Sequence, residues 1–328
     1  MDEKLLKIEN LTVTFKTDEG TFKAVDDVSF HLEKGEIVGL VGESGCGKSV
    51  SALALLRLIP EPFGMIEKGK IFFKGRNLLE LSFREMRKIR GRAISMIFQE
   101  PLSALSPLHR IGRQMVESLI LHRKVKKKEA KKIAKNWLKK VGILDVEEKF
   151  SAYPYQLSGG MQQRIMIAMS LIFDPDLIIA DEPTTALDVT IQAQIFELIR
   201  EMRQNITTSI LLITHDMGVI WEMCDRVIVM YASKIVEEGS LDDIFSKPSH
   251  PYTQGLLASI PKLSGQKEKL RAVSGSVPSP LNYPTGCYFR NRCKFAFDRC
   301  RKETPKFVSL TGKHKAACFL AEKLMEGE

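Results

Sequence analysis

The chain has 328 residues, enough for one large or two modest domains with a substantial buried core. Its 49 Lys and Arg residues exceed its 40 Asp and Glu residues, giving a formal net charge of +9, which suits a nucleic acid or an anionic membrane surface as neighbour. No apolar run approaches the roughly 20 residues that span a bilayer, and the first four residues lack the features of a signal peptide. We therefore expect a soluble, cytoplasmic protein.

Two strands are predicted at the start of the chain. Alternating apolar side chains indicate strands over residues 5–15 and 24–32, with a turn at Gly20 between them. Phe15 lies at the end of the first strand. Either core packing or a stacking face for a nucleotide base is consistent with an aromatic side chain there.

Residues 42–49 match the phosphate-loop pattern G-x-x-x-x-G-K-[ST]. An apolar strand over 37–41 precedes them and a helix over 50–56 follows, which is the context that a phosphate site requires. The alternative is a chance glycine turn, which need not lie between a strand and a helix. Glycines let successive backbone N–H groups point inward, and the new helix adds its positive end. We expect polyphosphate to bind here, with Lys48 on the β- and γ-phosphates and Ser49 on Mg²⁺.

The middle of the chain is predicted to mix strands and helices. Strands are indicated over 69–73 and 93–98, the second ending at the polar Gln99, with a short helix over 81–90 and a loop over 101–107. Residues 111–141 follow a helical pattern with one apolar face and one face rich in lysine. That basic face indicates either plain solvent exposure or contact with acidic headgroups or nucleic acid.

A second anion-binding element is predicted over residues 157–164. Ser158, Gly159 and Gly160 form a turn that opens a helix running to residue 173, so backbone N–H groups and a hydroxyl are again presented at a helix N-terminus. The sequence contains only one phosphate-loop pattern, so a second anion-binding element more than a hundred residues away requires an explanation.

Acidic and imidazole side chains follow two further predicted strands. The strand over 177–182 ends in Asp181, which suits Mg²⁺, and Glu182, which can accept a proton from an attacking water. Asp188 begins another helix, where capping or a role in the site is possible. His215 follows the strand over 209–214, at the edge where open α/β sheets bind ligands.

In combination these motifs resemble the ATP-binding subunit of an ABC transporter. The matching features are the Walker A loop 42–49, the Q-loop Gln99, the signature 157–164, the Walker B strand 177–182, the D-loop Asp188 and the switch His215. The resemblance implies an α/β P-loop NTPase fold, the ABC ATPase domain with a mixed sheet, a RecA-like core and a helical subdomain. It implies this nucleotide-binding domain over residues 1–240, its helical subdomain over about 100–172, and a small cysteine-rich extension over 241–328.

The resemblance also implies how ATP and Mg²⁺ bind. In this family ATP lies between the Walker A loop of one domain and the signature turn of another, so Ser158, Gly159 and Gly160 are expected to act in trans on a second ATPase subunit, a related chain or a second copy. The implied roles are general base for Glu182, γ-phosphate contact for His215, and Mg²⁺ binding for Ser49, Gln99 and Asp181. The remaining implied nucleotide contacts are Phe15 at adenine, Gly42, Ser44, Gly45, Cys46, Gly47, Lys48 and Asp188.

Residues beyond 235 indicate a resemblance to one branch of this family. Segments 250–257, 278–281 and 286–287, with 184–192, are similar to the oligopeptide/dipeptide/nickel uptake branch. This similarity implies an importer of dipeptides or oligopeptides at the cytoplasmic face of the membrane. Its expected partners are two transmembrane permease subunits and, indirectly, an extracytoplasmic substrate-binding protein, with no nucleic acid. The stretch after Gln99 departs from the commoner Q-D-P-M-T-S-L-N-P, which leaves partner identity open.

Four of the six cysteines lie near the C-terminus, spaced Cys287-x5-Cys293-x6-Cys300-x17-Cys318. No pair is as close as in common zinc or ferredoxin sites, so spacing alone indicates a four-thiolate site of undecided metal. The pattern resembles the four-iron four-sulfur site of the peptide-uptake branch; zinc, disulfides and free thiols are the alternatives. Basic side chains in this segment are expected to favour thiolates: Arg290, Arg292, Lys294, Arg299, Arg301 and Lys302.

Two other functions are consistent with parts of the sequence. A soluble ABC ATPase acting on nucleic acid or ribosomes would explain the basic charge, although such proteins usually carry two ATPase domains in one chain. A non-catalytic regulatory partner is the second alternative. Glu182, His215 and an intact signature argue against it.

Overall fold

The computed structural model describes residues 4–100, 104–184, 188–206, 208–260 and 273–326. By their internal contacts the residues group into two compact units. The first comprises Met1–Leu32, Ile37–Leu79 and Ile213–Glu328, and the second comprises Glu33–Glu36 and Glu80–Leu212. The segment after residue 240 therefore belongs to the same unit as the N-terminal strands. A separate extension beginning at residue 241 stays a prediction.

The strands in the described part of the chain are β1 (Lys4–Thr17), β2 (Gly20–Glu33), β3 (Ile37–Val41), β4 (Gly64–Phe73), β5 (Arg76–Asn77), β6 (Ile94–Ile97), β7 (Leu177–Asp181), β8 (Ser209–Thr214), β9 (Arg226–Tyr231), β10 (Lys234–Ser240), β11 (Val308–Thr311) and β12 (His314–Ala316). Each of the strands predicted over 5–15, 24–32, 37–41, 69–73, 93–98 and 209–214 overlaps an observed strand. β2 begins four residues and β4 five residues before the predicted start, and β6 is one residue shorter at each end. Several extend further, because pairing with a neighbour continues past the apolar run.

The α-helices are α1 (Lys48–Leu55), α2 (Phe83–Ile89), α3 (Ile111–Arg123), α4 (Lys127–Lys140), α5 (Val146–Ser151), α6 (Gly159–Leu171), α7 (Val189–Ile206), α8 (Met217–Met223), α9 (Leu241–Ser246), α10 (Pro251–Ala258), α11 (Asp298–Lys302) and α12 (Phe319–Glu326). Short 3-10 helices occupy Leu78–Glu80, Pro154–Gln156 and Pro280–Asn282. No helix of the described residues combines the length and the apolar character needed to cross a membrane.

The first unit contains two sheet regions. One is a four-stranded sheet in the order β2-β1-β4-β5, in which β4 pairs antiparallel with both β1 and β5. The other runs β11-β12-β10-β9-β3. In it β3 and β9 are parallel, whereas β9, β10, β12 and β11 pair antiparallel in turn. The sheet is therefore mixed, as predicted, and the C-terminal strands β11 and β12 extend it.

The second unit contains β6 and β7 as parallel neighbours, with residues 209–212 of β8 next to β7. Every residue of β6, β7 and β8 is buried, and the same holds for β3 and β9 in the first unit. Continuous burial is typical of parallel strands covered on both faces. It explains why these segments read as unbroken apolar runs.

The helical pattern predicted over 111–141 is found as two helices and not as one. The structure has two helices, α3 and α4, and the chain between them turns at Lys124, whose φ of 55° is left-handed. A left-handed residue cannot continue a right-handed helix, so the periodic pattern spans a break. On α4 the residues Ala130, Ala134, Trp137 and Leu138 are buried, and most lysines are exposed, as the amphipathic pattern predicts.

Candidate nucleotide-binding site

The glycine-rich loop joins the end of β3 to the start of α1. Gly47 caps α1 at a φ of 102°, and Gly45 has a φ of 78°. Side chains rarely adopt these left-handed angles. A Cβ on Gly47 would also lie 2.3 Å from the carbonyl oxygen of Ala24, so only glycine fits there. The loop can therefore wrap closely and open a helix whose first N–H groups need acceptors, which is the geometry that binds phosphate.

Lys48 places a positive charge inside this loop. Its side chain is buried, and its ammonium donates to the carbonyl oxygens of Gly42 at 2.7 Å and Glu43 at 3.1 Å. The ammonium also lies 3.7 Å from the sulfur of Cys46. Ser49 follows in the first turn of α1 and is half-buried. A cation and a hydroxyl at the start of one helix suit a polyphosphate and its Mg²⁺.

The other loop residues differ in exposure. Ser44 and Gly45 are exposed at the crest of the loop, whereas Cys46 is buried. Burial raises the pKa of the Cys46 thiol above its ordinary value, so this thiol stays protonated at neutral pH. The carbonyl oxygen of Cys46 accepts a hydrogen bond from the N–H of Ser233 at 3.1 Å, which anchors the loop.

Glu182 and Gln99 come together at the ends of two neighbouring strands. Because β6 and β7 are parallel, with Ile97 beside Ala180, the residues that follow them lie at the same edge. The side-chain amide of Gln99 donates to the carboxylate of Glu182 at 3.0 Å. Glu182 has a left-handed φ of 47°, a strained conformation that is typical of functional residues.

Asp181 precedes Glu182 as the last residue of β7 and is 4% exposed. A carboxylate that is almost fully buried needs a cation or hydrogen-bond donors around it. Its position at the carboxyl end of a parallel strand is consistent with Mg²⁺ binding.

The signature turn opens α6. Ser158 is the N-cap, and its hydroxyl accepts from the N–H of Met161 at 3.4 Å. Ser158 and Gly159 are exposed and Gly160 is half-buried, so this helix end can face another molecule. The side-chain amide of Gln163 donates to the carbonyl oxygen of Pro183. This bond ties the signature helix to the residue that follows Glu182.

Asp188 and His215 lie at the starts of α7 and α8. The carboxylate of Asp188 accepts from the N–H of Ile191 at 3.0 Å, which is the geometry of a helix cap. His215 is exposed and lines a cavity of about 240 Å³ together with Gly42 and Glu43. The first unit therefore brings His215 to the start of the phosphate loop.

Phe15 lies near the end of β1 and is half-buried. Its ring stacks on that of Phe22, with centroids 5.9 Å apart and planes inclined by 19°. One aromatic face of Phe15 is thus used within the protein. Stacking of adenine on Phe15 stays a prediction.

The four C-terminal cysteines line one small cavity, Cys287, Cys293, Cys300 and Cys318. All six cysteines of the chain have free thiols, so none of the four forms a disulfide. Burial raises the pKa of Cys287 to about 11 and also raises the pKa of Cys293 and of Cys318. Desolvation therefore outweighs the basic neighbours that were expected to favour thiolates. Nowhere in the described segments do three or more His, Cys, Asp or Glu side chains form a group arranged to hold a metal ion.

Glu43 makes contacts that the sequence did not predict. Its carboxylate pairs with the guanidinium of Arg292, and its N–H donates to the hydroxyl of Tyr252 at 2.8 Å. These partners are more than two hundred positions away in sequence, and no local pattern connects them to the loop.

Two family profiles match the chain. The ABC transporter profile matches residues 25–185, and the profile of the oligopeptide/dipeptide transporter C-terminal region matches residues 236–300. The probable peptide ABC transporter ATP-binding protein y4tR of Sinorhizobium fredii is 47% identical, over 98% of this chain and 96% of that protein. The dipeptide transport ATP-binding protein DppD of Bacillus subtilis is 48% identical, over 99% of this chain and 97% of that protein.

The chain belongs to the ATP-binding proteins of ABC transporters.

Solved structures of ABC proteins share its fold. The ATP-binding cassette MJ0796, a dimer in a post-hydrolysis state bound to ADP and Pi, aligns with a TM-score of 0.65 at 28% identity. The alignment covers 72% of this ABC protein and 98% of MJ0796. The predicted P-loop ABC ATPase fold is thereby confirmed. The roles of the individual site residues stay predictions.

Proposed function

We propose that the chain binds and hydrolyses ATP to power an ABC importer of dipeptides and oligopeptides. The observation that carries the chemistry is the buried Lys48 ammonium inside a glycine loop that opens a helix. Peptide cargo is supported by the names of the relatives, which include the oligopeptide transport ATP-binding protein AppD of Bacillus subtilis, 48% identical over 97% of each chain. These relatives give no support to the alternative of a soluble ATPase acting on nucleic acid.

The proposed reaction is hydrolysis of the terminal phosphoanhydride of ATP. Lys48 and the N–H groups of residues 45–49 bind the phosphates. Ser49, Gln99 and Asp181 would hold Mg²⁺, which would supply positive charge to offset that of the phosphate oxygens. Water attacks the γ-phosphorus, the bond to the β–γ bridging oxygen breaks, and Glu182 accepts the proton from the water. The Gln99 amide orients the Glu182 carboxylate for this transfer.

A second ATPase subunit would complete the proposed nucleotide site. Exposed Ser158 and Gly159 at a helix N-terminus are suited to bind a γ-phosphate held by the partner's Walker A loop. The dimeric state of MJ0796 with ADP and Pi supports this arrangement. Closure on ATP and reopening after hydrolysis would drive transmembrane permease subunits between inward- and outward-facing states. The chain would then act peripherally, at the cytoplasmic face of the membrane.

The four C-terminal cysteines are proposed to hold a four-iron four-sulfur cluster. Four free thiols lining one cavity supply the ligand set of such a cluster. When bound, the cluster would link residues 287–300 to Cys318. Iron and acid-labile sulfide found in anaerobically purified protein, and lost in Cys293→Ser, would support this; protein without iron would exclude it.

Peptide import is tested by genetic complementation. A strain lacking this gene, and dependent on a peptide for one essential amino acid, should grow with the wild-type gene but not with Lys48→Ala. Lys131→Ala, which removes an exposed lysine on α4, is the matched control and should restore growth. All strains should grow on the free amino acid. Growth with Lys48→Ala would contradict the role of the loop, and failure of the wild-type gene would contradict peptide cargo.

A further inference from the structure

A partly buried ion pair connects the C-terminal segment to the phosphate loop. Two guanidinium nitrogens of Arg292 donate to the two carboxylate oxygens of Glu43, at 2.5 and 2.9 Å. The Arg292 side chain is 4% exposed and that of Glu43 is 29% exposed. A bidentate pair fixes both distance and orientation, which a single point charge cannot do.

The guanidinium is held rigidly from its own side. Its Nε donates to the carbonyl oxygen of Ser274 at 2.9 Å, and Nη2 donates to that of Val273 at 3.1 Å. Its central carbon lies 5.7 Å from the ring centroid of Tyr231 and 5.9 Å from that of Phe289. Arg292 is therefore held by several groups besides Glu43.

Glu43 is in turn a second point, besides Cys46, at which the loop is fixed. Its main-chain N–H donates to Tyr252, on α10, and its carbonyl oxygen accepts from the Lys48 ammonium at 3.1 Å. Residue 43 is thus restrained through its side chain and its backbone by groups from the C-terminal half. Glu43 and Gly42, whose carbonyl oxygen accepts from Lys48 at 2.7 Å, together hold the lysine proposed to meet the phosphates.

We propose that Arg292 is a positioning residue for ATP binding, which holds the phosphate loop in its nucleotide-receiving conformation through Glu43. This inference rests on the proposed function of the loop. By this proposal the C-terminal segment contributes directly to the affinity for ATP.

Four variants of the full-length protein test the proposal: Arg292→Gln, Arg292→Lys, Glu43→Gln and the double Arg292→Gln/Glu43→Gln. Arg290→Gln is the matched control, because Arg290 lies in the same segment but donates to Thr285 and Arg301 instead of the loop. Affinity is measured by titration with a fluorescent ATP analogue in the presence of Mg²⁺, with KM and kcat for ATP alongside. Melting temperatures identify variants that fail to fold.

We expect Arg292→Gln to weaken ATP binding about tenfold, equivalent to ~1.4 kcal/mol, while kcat stays within about twofold. Arg292→Lys should bind ATP more tightly than Arg292→Gln but less tightly than the wild type, since an ammonium keeps the charge but not the two parallel donors of a guanidinium. The double variant should bind no more weakly than Arg292→Gln, because both changes remove one interaction. Arg290→Gln should bind like the wild type.

Folded Arg292→Gln with wild-type affinity would overturn the proposal, and so would additive losses in the double variant. An equal loss in Arg290→Gln would also overturn it, since damage to the segment as a whole would then explain the effect. A wild-type protein that does not bind Mg-ATP would instead refute the proposed function of the loop.

Discussion

Alanine substitutions at Gly45 and Gly47 distinguish the cost of a left-handed backbone from the added cost of a steric overlap. Both glycines are left-handed, at 102° and 78°, so alanine at either position costs about 1–2 kcal/mol in backbone strain. At Gly45 a Cβ would meet no atom within 4 Å, but at Gly47 it would lie 2.3 Å from the Ala24 carbonyl oxygen. That overlap forces the backbone to shift and adds about 1–3 kcal/mol. We therefore expect the free energy of unfolding to fall by about 1–2 kcal/mol in Gly45→Ala and by about 2–5 kcal/mol in Gly47→Ala.

The assay is urea denaturation of each variant and the wild type without nucleotide. The effect of alanine on the unfolded chain is the same at both positions and cancels in the comparison. Equal losses in the two variants would refute the reasoning, because they would mean that contact with Ala24 does not restrict the loop. Added Mg-ATP should then stabilise the wild type more than Gly47→Ala, since only binding to the folded state raises stability.

Three further changes test other parts of the molecule. Glu182→Gln should slow single-turnover hydrolysis by about 10²–10⁴-fold and preserve ATP binding, and an unchanged rate would refute its role as base. Asp188→Ala should lower the unfolding free energy by about 1 kcal/mol through loss of its cap on α7, whereas Asp188→Asn should not; equal denaturation midpoints would contradict the cap. Burial lowers the pKa of His250 from 6.5 to about 3. Between these values the unfolded chain binds a proton that the folded chain does not, so stability should fall by ~1.4 kcal/mol per pH unit below about pH 6.5. Denaturation series from pH 7 to pH 5 should give a flatter curve for His250→Asn, and parallel curves would contradict this.

The local elements could be predicted because their causes are local. The unbroken apolar run of β3, the glycines after it and the start of α1 are contiguous, so the loop and its helix follow from neighbouring residues. The break between α3 and α4 was missed for the converse reason. Residues 122–129 contain only one apolar residue, Val125, so the apolar spacing does not show where the helix breaks, and nothing in the Lys124 side chain signals a left-handed backbone.

Contacts between residues distant in sequence could not be predicted from local patterns. Glu182 was assigned to the site from its position at the end of a strand and Gln99 through the family resemblance, and their hydrogen bond depends on β6 and β7 being parallel neighbours. The lysine face of α4 is exposed as expected, but the predicted pattern does not distinguish solvent from a binding partner.

By itself the sequence determined the phosphate loop, the buried strands and the family, because these depend on contiguous patterns of glycine, charge and apolar residues. Only the tertiary structure decided that Arg292 and Glu43 meet, across 249 positions. It also decided that burial, and not the basic neighbours, dominates the pKa of Cys287. Pairing and desolvation depend on which surfaces the folded chain brings together, and that information is spread over the whole sequence.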